Sequence, residues 1–199
     1  MKKLLIASGN QGKIREIRDR YQKFALEIIG QEQFPELEEV IEDGSSFREN
    51  ALKKARTRAR ETGLITLADD SGLVVDYLDG RPGIYSARYG GQDATDLENN
   101  RKLLRELEGV PREKRKAHFK CVAALFIPGE ESITVSGICR GYIAEEMKGD
   151  QGFGYDPLFY VPEYEKTMAE LPLVVKNKIS HRARALDKME KHIQDLVLQ

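Results

Sequence analysis

The chain has 199 residues, of which 40% are hydrophobic and 33% are charged, and its formal net charge is −1. This length favours a single domain over residues 1–199, or two closely packed lobes, with enough apolar residues for a core. The near-neutral charge argues against a general nucleic-acid-binding surface, so any site for a polyanion is expected to be local.

Targeting and membrane signals are weak. Residues 1–10 include two lysines but too few apolar residues for a signal peptide, and no stretch approaches the roughly 18 apolar residues of a membrane span. The two cysteines, Cys121 and Cys139, stand in apolar, strand-like segments. That context is typical of buried, reduced thiols, with a disulfide as the alternative. We therefore expect a cytoplasmic protein with no membrane or nucleic-acid partner.

Strand and helix patterns alternate through the first half of the chain. The predicted elements are a strand at 3–7, a helix at 12–24, a strand at 26–30, a helix at 46–62, and strands at 64–68 and 73–77. The second helix begins with a capping box, Ser46 to Glu49, and ends before Gly63. Phe47, Ala51, Ala55 and Ala59 recur at every fourth position, which predicts a helix face that packs closely on a sheet.

The second half is richer in strands. A capping box at Thr95–Glu98 predicts a helix to about Leu107, and Ser180 is expected to cap a C-terminal helix with an apolar stripe from Ala183 to Val197. Two long strands are predicted at 117–127 and 132–140, joined by a Pro-Gly-Glu-Glu turn. The pattern indicates an α/β fold with a mixed, twisted sheet flanked by helices.

The first candidate site is the turn Ala-Ser-Gly-Asn-Gln-Gly-Lys after the first strand. Glycines allow a close backbone approach, the next helix offers N–H groups, and Lys13 adds a positive charge, all of which suit an anion. The spacing is wrong for a Walker A loop. The turn is either a phosphate-binding turn of another kind or only a tight turn.

Two acidic stretches form the next candidates. Most acids of the loop at residues 36–43 are interpreted as solvated, but Glu42, nearest the second helix, could face inward toward a metal. Asp69 and Asp70 follow an apolar strand in an Asp-Asp-Ser-Gly turn, where adjacent carboxylates are costly unless paired or bound to a cation. One could hold Mg²⁺ and the other accept a proton from water; capping of the turn is the alternative.

The last candidates lie near the C-terminus. Residues 152–157, Gly-Phe-Gly-Tyr-Asp-Pro, could form an aromatic corner, or could stack a base on Phe153 and bind its edge near Asp156. Residues 176–182, Lys-Asn-Lys-Ile-Ser-His-Arg, are interpreted as a basic first turn of a helix, which the helix dipole disfavours unless a ligand is bound. His181 and Arg182 are also suitable donors to a purine carbonyl.

These motifs, in this order and at these intervals, resemble those of the inosine triphosphate pyrophosphatase family, which also comprises the dITP/XTP diphosphatases. The resemblance spans the whole chain. It implies an elongated mixed sheet with two lobes and an active site in the cleft between them, a homodimer, and Mg²⁺-dependent hydrolysis of ITP, dITP and XTP to monophosphate and pyrophosphate.

The resemblance also implies roles for individual residues. The metal would be held by Glu42, Asp69 and Asp70, and Asp70 would be the proton acceptor. The residues expected to bind the nucleotide are Ser8, Gly9, Asn10, Gln11, Gly12, Lys13, Lys54, Ser71, Phe153, Gly154, Tyr155, Asp156, Lys176, His181 and Arg182. Of these, the resemblance implies that Ser8, Gly9, Asn10 and Lys13 hold the triphosphate, that Lys54 reaches the phosphates and that Ser71 touches the substrate. The last seven would form the base pocket.

Three other functions remain open at the level of the sequence. A house-cleaning pyrophosphatase for other modified nucleotides is the nearest, and the Ser-His-Arg motif favours the purine substrate over it. A non-catalytic nucleotide sensor has no need for both Asp69 and Asp70. An RNA-binding module is disfavoured by the near-neutral charge.

Overall fold

The computed structural model describes residues 1–198, and these form a mixed α/β fold. The strands and helices are β1 (Lys2–Ile6), α1 (Gln11–Tyr21), β2 (Leu26–Gly30), α2 (Phe47–Thr62), β3 (Ile65–Val75), α3 (Asp96–Glu106), β4 (Lys116–Phe126), β5 (Ile133–Ile143), β6 (Phe159–Val161), β7 (Lys166–Thr167), α4 (Leu173–Ile179) and α5 (His181–Leu198). The predicted fold class is confirmed.

All seven strands belong to one sheet, in the order β2-β1-β3-β4-β5-β6-β7. β1 pairs in parallel with both β2 and β3, whereas β6 pairs antiparallel with β5 and β7. The parallel pairs require helical crossovers, which α1 and α2 provide. The carboxyl end of β1 therefore leads directly into the turn before α1, where the first candidate site was predicted.

The chain divides into two compact units. The first unit consists of residues 1–70, 121–137 and 184–198, and the second of residues 71–120 and 138–183. Each unit has its own apolar core. The first core includes Leu4, Ile17 and Tyr21 with the predicted α5 residues Leu186, Met189 and Ile193, and the second is built around Leu73, Leu103, Phe119, Leu158 and Phe159.

The helix ends follow the capping residues in the sequence. The Ser46 hydroxyl accepts a hydrogen bond from the Glu49 N–H at 3.2 Å, and α2 ends at Gly63, which has a left-handed φ of 71°. The predicted capping box at Ser46 is only half formed, because the Glu49 carboxylate bonds to Ser45 instead. The box at Thr95 is complete. The small-residue face of α2 is buried as predicted.

The predicted turn at residues 69–72 is wrong, because β3 runs without interruption from Ile65 to Val75. Two buried carboxylates are tolerated inside a strand because each one is paired with a cationic side chain, as described below. Successive side chains of a strand point to opposite faces. Asp69 and Asp70 therefore do not form one side-by-side carboxylate pair.

Sequence analysis also missed the short helix α4, and the interpretation of residues 176–182 as one basic first turn is wrong. Lys176 and Lys178 lie in the last turn of α4, where the helix dipole favours positive charge. Only His181 and Arg182 belong to the first turn of α5. The dipole argument for a ligand therefore applies to those two residues alone.

Two further expectations can be compared with the structure. Cys121 and Cys139 are both buried and neither forms a disulfide, which confirms the prediction of reduced thiols. Within residues 1–198, no helix combines the length and apolar character needed to cross a bilayer.

Candidate active site

The turn between β1 and α1 is an N-capping turn. Asn10 has an extended backbone, and its Oδ1 accepts a hydrogen bond from the Lys13 N–H at 3.1 Å. The Ser8 hydroxyl accepts the Asn10 N–H at 3.2 Å, which fixes the turn from the other side. Gly9, Asn10 and Gln11 are exposed. The turn thus presents the positive end of an eleven-residue helix to solvent, which suits an anionic group.

Lys13 projects from this turn onto Asp69. Its ammonium lies 3.0 Å from Asp69 Oδ2, and the Asp69 side chain is almost fully buried. The Cys121 thiol lies on the same carboxylate, with its sulfur 3.8 Å from Oδ2. Asp69 therefore fixes the lysine at the start of α1, a role that the sequence did not reveal.

Asp70 faces a second lysine, Lys54 of α2. The Lys54 ammonium lies 2.8 Å from Glu42 Oε1 and 3.7 Å from Asp70 Oδ1. Asn50, one helical turn before Lys54, donates its amide to Asp70 Oδ2 at 3.0 Å. The predicted residues Glu42, Lys54 and Asp70 are thus brought together around one ammonium group.

The burial of this cluster perturbs its proton affinities. Desolvation raises the pKa of the Asp70 carboxyl, and the nearby Glu42 charge adds to the increase, while the Lys54 charge opposes it. Burial disfavours the charged form of Lys54, but the carboxylates of Asp70, Asp69 and Glu42 outweigh this and raise its pKa. A carboxylate with raised proton affinity beside a fixed cation is well suited to accept a proton.

Glu42 is held in place by contacts between its loop and α2. Asn50 Oδ1 accepts the Gly44 N–H at 2.8 Å, the Lys53 ammonium lies 2.6 Å from Asp43 Oδ1, and the buried Arg58 donates to the Glu38 carbonyl. The remaining acids of this loop, Glu36, Glu38 and Glu39, are exposed, as the solvated interpretation predicted, whereas Glu42 is half-buried.

A divalent cation such as Mg²⁺ needs several oxygen ligands close together. Within residues 1–198, no three acidic, histidine or cysteine side chains are grouped closely enough to form a ready metal cage. The predicted trio of Glu42, Asp69 and Asp70 is therefore not assembled, because Asp69 lies with Lys13. Glu42 and Asp70, however, converge on a single ammonium, and oxygen ligands of this kind fit Mg²⁺ completed by water and phosphate oxygens.

The predicted base-binding residues all belong to the second unit, and several of them contact one another. The Phe153 ring is 42% exposed, and the Arg182 guanidinium lies 5.8 Å from its centroid. Arg182 also donates to the Ser71 hydroxyl at 3.2 Å. Asp156 pairs with Lys176 at 2.5 Å. An exposed aromatic ring beside donor groups can stack a planar base and bind its edge.

Two other predicted residues have packing roles as well. The Tyr155 side chain lies in the core, and its hydroxyl donates to the Ser86 carbonyl at 2.8 Å. Only the Tyr155 backbone is therefore suited to contact a ligand. The His181 ring stacks on Phe119, with centroids 4.8 Å apart and planes 18° apart, which fixes its orientation at the start of α5.

The sequence motifs do not include the residues that hold the candidate site residues in place. Asn50 is fully buried in the first turn of α2, among the buried apolar residues Phe47, Ala51 and Leu52. Asn100 is likewise buried on α3, and its side-chain amide donates to the Gly154 carbonyl at 2.8 Å. A polar residue at an apolar position of a helical pattern was the available signal in each case, because such a group needs hydrogen-bond partners.

Comparison with known proteins supports the family resemblance inferred from the sequence motifs. The family model described as the Ham1 family matches residues 4–192. The chain belongs to the Ham1 family. A Ham1 relative named dITP/XTP pyrophosphatase, from Geobacter sulfurreducens, is 53% identical over 193 residues and 97% of each chain. Another of that name, from Geobacillus kaustophilus, is 50% identical over 99% of this chain and 97% of its own.

A solved Ham1 structure shows the same fold. The HAM1 protein of Coxiella burnetii superposes with a TM-score of 0.91 and 41% identity, covering 98% of this chain and 100% of that one. The resemblance inferred from the sequence motifs is therefore confirmed over nearly the whole chain.

Proposed function

We propose that the protein is a nucleoside triphosphate pyrophosphatase that hydrolyses ITP, dITP and XTP to the monophosphate and pyrophosphate. The observation that carries this proposal is the near full-length identity of about half of all residues to relatives named dITP/XTP pyrophosphatase. The paired clusters Lys13–Asp69 and Glu42–Lys54–Asp70 supply the charges that such a reaction needs. The role would be to remove deaminated purines from the nucleotide pool.

The first unit would bind the triphosphate. Ser8 to Lys13 offer the helix N-terminus and one lysine to phosphate oxygens, and Lys54 offers a second cation. Glu42 and Asp70 would hold Mg²⁺, which when bound neutralises phosphate charge. Lys54, which lies between these two carboxylates, would contact the phosphate oxygens.

The reaction is an in-line substitution at the α-phosphorus. A water oxygen forms the new bond to phosphorus, the bond from phosphorus to the oxygen bridging the α- and β-phosphates breaks, and pyrophosphate leaves with the bonding electron pair. Asp70 would accept the proton of the water as the general base. Lys13 and Lys54 stabilise the negative charge that develops on the phosphate oxygens.

The second unit would bind the base. Hypoxanthine and xanthine carry a carbonyl acceptor at C6, whereas adenine carries an amino donor there. Donors such as Arg182 and His181 can hydrogen-bond to the C6 carbonyl, but they are left unpaired by the amino group of adenine. Sites of this kind can favour one substrate over another by about 10⁴-fold. Phe153 would stack on the ring, and Asp156 with Lys176 would contact its edge.

Three further properties belong to the same proposal. The protein would act as a homodimer and in the cytoplasm, where a reducing environment keeps cysteines such as its two buried ones in the thiol form. Its partner would be the nucleotide rather than a nucleic acid, because the chain has a net charge of only −1.

The test is pyrophosphate release from ITP, dITP, XTP, GTP, ATP and dUTP, with and without Mg²⁺, while free phosphate is measured separately. Mg²⁺-dependent pyrophosphate from the inosine and xanthine nucleotides is the expected result. Release of single phosphates would refute attack at the α-phosphorus, and preference for dUTP or GTP would favour a pyrophosphatase for other nucleotides. A Lys54→Ala preparation, purified identically, controls for contaminating phosphatases.

A further inference from the structure

Two side chains of α3, in the second unit, hydrogen-bond to the backbone of Gly154. This glycine lies at the centre of the loop that is proposed to bind the base. The Gly154 N–H donates to Asp96 Oδ2 at 2.6 Å. The Gly154 carbonyl accepts the Asn100 side-chain amide at 2.8 Å, and the same amide donates to the Asp96 carbonyl at 2.7 Å. Asp96 and Asn100 are four residues apart on α3, so they lie on one face of the helix.

These contacts fix more than the glycine itself. Each peptide unit is planar, so holding the Gly154 N–H also orients the Phe153 carbonyl, and holding the Gly154 carbonyl also orients the Tyr155 N–H. Gly154 has a φ of 61°, and glycine moves easily between positive and negative φ. Gly154 has no side chain of its own to restrict this freedom, so the two contacts from α3 restrict it instead.

The neighbouring side chains differ in how firmly packing holds them. Tyr155 is anchored by the core and by the Ser86 carbonyl. The Phe153 ring is largely exposed, with the Arg182 guanidinium near its face. The position of Phe153 therefore depends on its backbone, which the α3 contacts orient.

We propose that Asp96 and Asn100 are positioning residues that set the Gly154 backbone and, through it, the orientation of Phe153 for purine selection. This inference rests on the proposed function, because it assigns Phe153 and its neighbours to the base. Neither side chain hydrogen-bonds to a residue assigned to the triphosphate. Their loss should therefore weaken and broaden base binding more than it slows the chemical step.

The chain offers a matched control in the preceding residue. Asn99 is as buried as Asn100, at 2% exposure, and it also holds a backbone from both sides, accepting the Gly90 N–H at 2.6 Å and donating to the Ala87 carbonyl at 3.1 Å. Its contacts lie on a different loop. Asn99→Ala and Asn100→Ala thus each remove two side-chain hydrogen bonds to the backbone, from adjacent positions of the same helix.

The experiment measures kcat and KM for ITP, GTP and ATP in Asp96→Ala, Asn100→Ala and Asn99→Ala, with the melting temperature of each. For Asp96→Ala and Asn100→Ala, the KM for ITP should rise about tenfold and the preference for ITP over GTP and ATP should fall. Asp96→Ala loses one hydrogen bond to a carboxylate, and Asn100→Ala loses two to backbone carbonyls. Asn99→Ala should lower the melting temperature without changing that preference. Asp96→Asn, which keeps an acceptor oxygen, should restore most of the wild-type KM.

A second measurement does not depend on turnover. Hydrogen exchange of the peptide covering residues 150–158 should accelerate in Asp96→Ala and Asn100→Ala but not in Asn99→Ala. Unchanged KM, preference and exchange in Asn100→Ala would overturn the inference, as would equal changes in Asn99→Ala. If the wild-type protein neither hydrolyses nor binds inosine nucleotides, the proposed function itself fails, and the specificity role of Asp96 and Asn100 fails with it.

Discussion

Gly152 lies against the Asp156–Lys176 ion pair, which is predicted to contact the base. Substitution of Gly152 by alanine should separate Asp156 from Lys176. A Cβ atom at this position would overlap both Asp156 Oδ2 and Lys176 Nζ. Gly152 also has a φ of 97°, which alanine rarely adopts. Gly154, two residues later, has a φ of 61° but no atom within 4 Å of a Cβ placed there. The two alanine variants therefore separate backbone strain from displacement of the ion pair.

The expected magnitudes follow from these contacts. In each variant, an L-residue at positive φ should lower the free energy of unfolding by about 1–2 kcal/mol. Gly152→Ala should lose about 1.5–3 kcal/mol more, the worth of a hydrogen bond between charged groups, because Asp156 and Lys176 must separate. The pair is only 13% exposed on each side, so water replaces the lost contact poorly. The total for Gly152→Ala is then about 2.5–5 kcal/mol, against about 1–2 kcal/mol for Gly154→Ala.

The assay is urea denaturation of both variants and the wild type, combined with the KM for ITP. Gly152→Ala should be the less stable variant and should show the larger increase in KM. Equal destabilisation of the two variants would refute the reasoning, because the ion pair would then accommodate the new methyl group without cost. A large loss of stability in Gly152→Ala with an unchanged KM would show that Asp156 and Lys176 support the fold but not the base.

Three other predictions concern Asp70 of the first unit and Arg115 of the second. Asp70→Asn should lower kcat by about 10²–10⁴-fold, more than Asp69→Asn, because Asp70 is assigned as the proton acceptor; equal losses would contradict that assignment. Since burial raises the pKa of Asp70, its ionisation opposes folding, so Asp70→Asn should also melt at a higher temperature at pH 7, and this gain should disappear below the ordinary pKa of 3.8. Arg115→Met should cost about 3–5 kcal/mol, because the buried guanidinium donates to the carbonyls of Val110, Leu107 and Ala144. The exposed Arg112→Met serves as the control, and a similar loss there would show that the three carbonyls are not what Arg115 stabilises.

Local signals in the sequence predicted most of the elements. Helix ends at Ser46, Gly63 and Thr95 follow from capping and from glycine's tolerance of positive φ, which are properties of a few neighbouring residues. The apolar stripe of α5 predicted its buried face in the same way. Short elements without a repeated pattern, such as α4 and β7, were not predicted, because a seven-residue helix or a two-residue strand contains too little periodicity.

The sequence also determined the family and the identity of the candidate residues, because the motifs carry the residue types that phosphate and base chemistry require. Their pairing was decided by the tertiary structure. Asp69 and Asp70 are adjacent in the chain, yet one holds Lys13 and the other faces Lys54, since a strand directs successive side chains to opposite faces. Asp96 and Asn100 lie more than fifty residues from Gly154, and only the packing of the second unit brings α3 onto that loop. A buried polar group takes whichever partner the fold places beside it, and local sequence does not specify that partner.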